Sequence, residues 1–152
     1  MSVLHFLCHL NLNSLMNSAD KNTFDPGLVV RTSNSDFETT YNLIKSRIEA
    51  NPNLKVMLEI DHSKNAISAD LTLSPTRVIL FGNPKMGTKL MQENPTAGID
   101  LPQKIIVFAD NSGKTSIAYN DPQYINQRHG LSNEELTSKI SSVLNKLTDV
   151  GV

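Results

Sequence analysis

The sequence predicts an α+β domain: a mainly antiparallel sheet with two principal helices on one face. Three observations carry that expectation. The turn cluster Asp110-Asn111-Ser112-Gly113 separates two strand-like runs and predicts a hairpin, which is an antiparallel connection. Helical and strand-like stretches do not alternate strictly, as a parallel sheet with crossover helices requires. Two long amphipathic patterns, each opening on a capping box, supply the helices.

Taken in order, Leu28-Val29-Val30-Arg31 is short, apolar and β-branched, and reads as a strand. Ser35 with Glu38 forms a capping box, and Phe37, Tyr41, Ile44 and Ile48 then recur at helical spacing. Asn51-Pro52-Asn53 stops that helix. Leu54, Val56, Leu58 and Ile60 alternate with Lys55, Met57 and Glu59, the pattern of a strand with one face on the core. Asp61 to Pro75 reads as a connector with one helical turn through Ala66. Arg77 to Phe81 is a continuous apolar run suited to a central strand. Asn83-Pro84 places a cap and a first-turn proline before a short helix, which Asn94-Pro95 ends. Thr96 to Pro102 reads as a loop, Lys104 to Ala109 and Lys114 to Asn120 as the hairpin strands. Asp121-Pro122 repeats the cap and proline device. Ser132 with Glu135 forms the second capping box, Leu131 and Leu136 a hydrophobic staple, and Leu136, Ile140, Val143, Leu144 and Leu147 one stripe before Gly151.

The 152 residues suffice for one domain, which the patterns assign to 28–148. With 39% apolar and 19% charged residues the composition is that of a globular chain. A formal net charge of -1 argues against a dedicated nucleic-acid binder, which needs a basic face. No apolar run reaches the length of a membrane span. The single cysteine, Cys8, excludes an internal disulfide and a zinc site built on several thiolates. Residues 1–27 read differently from the rest. An apolar segment, the small-residue step Asn17-Ser18-Ala19 and a polar stretch resemble a degraded secretory leader, although no Lys or Arg precedes the apolar part. The competing reading is a plain N-terminal extension. A functional leader implies a periplasmic or secreted protein, its absence a cytoplasmic one. His5, Cys8 and His9 share helical spacing but lack a further ligand, so no metal is assigned.

Candidate binding residues fall at strand ends and loop entries: Asp61 and His62, Asn83, Thr96 and Asp100, Asn120 and Asp121, and His129. Asp61-His62 pairs a carboxylate with an imidazole, but Asp61 is equally a helix cap. Gly82 to Lys89 has the glycine spacing of a phosphate loop, yet Thr88 precedes Lys89 and Pro84 removes an N–H. No Ser, Cys or Lys sits in a nucleophile motif.

Several of these segments occur together in one family. Glu59-Ile60-Asp61-His62, Pro75-Thr76-Arg77, Phe81-Gly82-Asn83-Pro84, Gly87-Thr88, Leu90-Met91, Pro95 to Pro102, Tyr119-Asn120-Asp121-Pro122 and Arg128-His129-Gly130 resemble the domain of unknown function 302 family, over about residues 28–148. The resemblance implies a fold similar to the TATA-binding-protein-like fold and a homodimer, and it raises the expectation of a secretory leader. It carries no assigned activity, so no catalytic residue and no cofactor follow from it. Fold similarity to a DNA-binding protein does not confer DNA binding. The leading expectation is a homodimeric module binding a small molecule or a protein partner through polar loops. The alternatives are an enzyme using His62 or His129 with Asp61 or Asp121, and a structural protein in which these residues only cap helices and set turns.

Overall fold

A computed structural model describes residues 27–150. The leader reading, with His5, Cys8 and His9, and the stop at Gly151 lie outside the described residues. The elements are β1 (Leu28–Thr32), α1 (Phe37–Ala50), β2 (Lys55–Asp61), α2 (His62–Ser68), β3 (Thr76–Gly82), α3 (Pro84–Glu93), a 3-10 turn (Pro95–Ile99), β4 (Gln103–Ala109), β5 (Thr115–Asn120), α4 (Pro122–His129) and α5 (Glu134–Thr148). The fold is α+β. The five strands form one sheet in the order β1-β5-β4-β3-β2, and every neighbouring pair is antiparallel.

Period-two alternation sets the two faces of the sheet. In β4, Gln103, Ile105, Val107 and Ala109 are buried and face inward. The register places Ile79 and Phe81 of β3, and Ile117 and Tyr119 of β5, beside them. Phe37, Tyr41, Ile44 and Ile48 of α1, and Leu136, Ile140, Leu144 and Leu147 of α5, complete this core, so both long helices lie on the inner face. Arg47 joins the two helices, since one of its amino groups donates to the carbonyls of Lys146 and Asp149 at 3.1 and 2.7 Å, where α5 leaves carbonyls unpaired.

The outer face carries Val30, Leu58, Ile60, Val78, Leu80, Ile106 and Phe108, none of which belongs to the main core cluster. Val30 is 54% exposed and Leu58 52%. The alternation in β2 predicts Val56, Leu58 and Ile60 on one face. The structure differs, because a bulge between Val56 and Leu58 shifts the register. Val56 therefore packs on the core while Leu58 and Ile60 face out, and Glu59 turns toward α1.

Helix starts also differ from the capping boxes. Asp36, not Ser35, caps α1 by accepting from Thr39 N, and Asn133, not Ser132, caps α5 by accepting from Leu136 N. Ser33 bonds Thr40 at 2.7 Å and itself accepts from Ser35 N, and Ser132 is held by Glu93, so both predicted caps belong to neighbouring networks. Asn83 and Asp121 cap α3 and α4 as the sequence indicates, each followed by proline. Gly130 ends α4 at φ +60, where a Cβ is strained.

Candidate binding site

The register divides the predicted site residues between two ends of the sheet. Asp61 pairs with Arg77, at the end that also holds Ala109 and Thr115. Gly82 pairs with Lys55, Phe81 with Gln103, and Asn120 with Leu28, all at the opposite end. Asp61 and His62 are thus a strand length, about 20 Å, from Asn83. Their end is a closed ion network. Asp61 accepts from Lys64 N at 3.0 Å and from Arg77 Nε at 2.9 Å. Arg77 also forks onto Glu38 at 2.9 and 2.7 Å and lies over the Phe37 and Tyr41 rings. Tyr41 donates to Glu59 at 2.7 Å, and Lys45 meets the other Glu59 oxygen at 2.6 Å.

The electrostatics follow these contacts. The Lys64 backbone N–H, and then Arg77, hold the Asp61 carboxyl below the ordinary range. Lys45 and then Tyr41 do the same for Glu59. Burial first, and then the bond to Glu59, push the Tyr41 phenol above its ordinary value. Asp61 is a helix cap and ion-pair partner here, and His62 stands exposed on the first turn of α2.

Three of the predicted residues meet at the other end. His129 Nε2 lies 2.6 Å from Asp100 Oδ2, and His129 Nδ1 lies 2.8 Å from Thr96 Oγ1. Asp100 and His129 are buried. Thr96 bonds Asn94 Oδ1 at 2.9 Å, and Asn94 Nδ2 donates to His129 O at 2.7 Å. Arg128 stands 3.3 Å from Asp100. Lys104 Nζ donates to the carbonyls of Asp100 and Pro102 at 3.1 and 3.2 Å. A hydroxyl, an imidazole and a carboxylate in line is the arrangement that activates nucleophiles. Here the carboxylate beside His129 is Asp100 rather than Asp61 or Asp121. Asp121 accepts from Gln123 N at 2.9 Å at the far end of α4, about 12 Å along the helix from His129. What the network does mechanically is pin residues 94–102 to the end of α4.

That pinned segment walls a cavity of about 280 Å³. Leu101 and Pro102 form one side, Met86 and Met91 of α3 another, Phe81 the floor, and Ile140, Val143 and Leu144 of α5 the back. No charged side chain lines it. Asn83 lies in the wall, with its Oδ1 committed to Lys85 N at 2.9 Å. Thr96, Asp100 and His129 are outside the lining. Sequence reasoning passed over this cavity because its walls read as ordinary core. One signal was present: Gln103 is the polar member of the inward series completed by Ile105, Val107 and Ala109. Among the described residues no three His, Cys, Asp or Glu side chains gather as metal ligands, and no helix is long and apolar enough to cross a membrane.

The family model described as "Domain of unknown function DUF302" matches residues 29–147, and the chain belongs to that family. A crystal structure of an uncharacterized conserved DUF302 protein from Bacillus stearothermophilus has the same fold, with a TM-score of 0.72 at 17% identity, covering 82% of this chain and 98% of that one. Fluoride-specific ion channel FluC 1 of Brucella suis biovar 1 is 38% identical over 107 residues, 70% of this chain and 42% of that protein. Fluoride-specific ion channel FluC 2 of Brucella melitensis biotype 1 is also 38% identical, over 39% of its length. The chain thus spans about two fifths of these curated relatives.

Proposed function

We propose that this domain is a homodimeric binding module that takes a small molecule into the cavity between α3, α5 and the Gln103 end of the sheet. The observation that carries the reading is the cavity itself, about 280 Å³ of space with an uncharged, mostly apolar wall. An engineered cavity of about 150 Å³ holds benzene, so this one has room for about a dozen non-hydrogen atoms. Thr96, Asp100 and His129 serve it indirectly by fixing the wall that carries Leu101 and Pro102. Asp61, His62, Asn120 and Asp121 act as caps, pairs and strand ends away from the ligand.

A thermal-shift screen of small neutral compounds tests this reading. It expects saturable stabilisation that is abolished when Val143→Trp fills the cavity, and stabilisation unaffected by Val143→Trp contradicts it. The dimer half of the proposal rests on the outer sheet face, where Val30, Leu58, Leu80 and Phe108 form an apolar surface that lies outside the core cluster of the described residues. For the compartment, N-terminal sequencing of the mature chain separates a periplasmic or secreted protein, trimmed near Ala19, from a cytoplasmic one.

One observation favours a second reading, a protein partner. The relatives named as fluoride channels are more than twice the length that this chain matches. In that reading the channel activity belongs to their remaining length, and the present domain works beside a channel. Co-purification of the chain with a fluoride channel from the same cell supports this reading, and failure to associate at micromolar concentrations removes it.

A further inference from the structure

The ligand class can be narrowed from one side chain. We infer that the cavity takes a neutral, mostly apolar molecule carrying one hydrogen-bonding group, such as an amide or ketone, which the Gln103 carboxamide recognises. This rests on the cavity reading above.

Gln103 opens β4 on the inner face and is 8% exposed. It lines the cavity, its carboxamide makes no side-chain hydrogen bond within the described residues, and it is not among the polar groups sealed from solvent. An amide sealed without a partner would cost about 1–3 kcal/mol, and Gln103 escapes that cost by facing space that water or a ligand can enter. Thr115 and Asn126 differ, because their unpartnered oxygens are sealed from solvent. The Gln103 amide opens on a cavity large enough for a ligand. A carboxamide offers two N–H donors and one carbonyl acceptor, which matches an amide, a ketone or an alcohol. The neighbouring wall is Phe81, Leu101, Met86 and Leu144, which solvates hydrocarbon and penalises charge. Met57, Met86 and Met91 in the lining adapt to differing hydrocarbon shapes, so the body of the ligand is less restricted than its polar group.

Four probes with one hydrocarbon body test this by calorimetric titration of the full chain: butylbenzene, phenylbutanamide, phenylbutanoate and phenylbutylamine. The amide is expected to bind about ten-fold more tightly than the hydrocarbon and than either charged probe. In Gln103→Met that advantage falls to about two-fold or less while butylbenzene retains its affinity. Gln103→Leu repeats the test should the methionine variant not fold, and the wild-type ranking stands on its own. Equal binding of amide and hydrocarbon, or tightest binding of a charged probe, overturns the inference and leaves the cavity reading intact. Failure of all four probes to bind the wild-type chain overturns both.

Discussion

Thr115 and Gln103 are both polar side chains buried on the inner face of the sheet, and their surroundings separate them. Thr115 Oγ1 is sealed without a partner. Thr115→Val exchanges an unsatisfied hydroxyl for a methyl in a strand that favours valine, and it should stabilise the fold by about 1 kcal/mol in urea denaturation. Tyr41 shows the opposite case, because its hydroxyl ends on the Glu59 carboxylate at 2.7 Å. Tyr41→Phe removes that bond, but the Glu59 side chain is 36% exposed and water can replace the donor, so the change should cost only about 0.5–1 kcal/mol. The ionisable groups give the sign of the pH dependence. Asp61 and Glu59 are held below the ordinary carboxylate range in the fold. Their contribution is full above about pH 5 and is lost as pH falls below about 4. The urea midpoint of the wild type should therefore fall on acidification, and Asp61→Asn should fall less steeply. Tyr41 has a raised folded value, so its contribution is full below about pH 10 and lost in stronger alkali.

At the scale of elements, periodicity located nearly every helix and strand, and what it missed has a physical cause in each case. The bulge in β2 is invisible to an alternation count, because Leu58 and Ile60 suit either face of a sheet whose outer side is also apolar. Ser35 and Ser132 fit the capping motif, but the residue after each also caps, and the tertiary partners of Ser33 and Glu93 decide between them. Asp61, Asn83 and Asp121 were legible as caps, since Asp or Asn before a helix acts within a few residues. The Thr96–His129–Asp100 contact was not, because it joins residues 29 and 33 positions apart. If this network pins residues 94–102, removing one partner loosens that segment first. Asp100→Asn should cost about 2–4 kcal/mol. It should also speed hydrogen exchange at Ala97 to Leu101 well before β4 is affected. Unchanged exchange there would mean that the segment holds its place without the network.

For the molecule as a whole, the fold class and the placement of both long helices on one face followed from the sequence. The site did not, because a cavity is a property of packing and its walls are residues that composition assigns to the core. The assembly prediction also belongs at this scale. A sheet face of five strands spans roughly 450 Å² per copy, so two such faces approach the lower limit of a specific interface. Val30→Lys with Leu58→Lys places two charges on that face at positions already exposed, and it should convert a dimer to a monomer in analytical ultracentrifugation with little loss of monomer stability. A monomeric wild type would contradict the dimer. The binding claim is tested most directly by locating a ligand in solution. In a methyl-detected NMR titration with phenylbutanamide, the signals of Met86, Met91, Val143 and Leu144 should move saturably and together while those of Val30 and Leu58 stay fixed. Saturable shifts confined to the outer face, or none at the cavity methyls, would contradict the account.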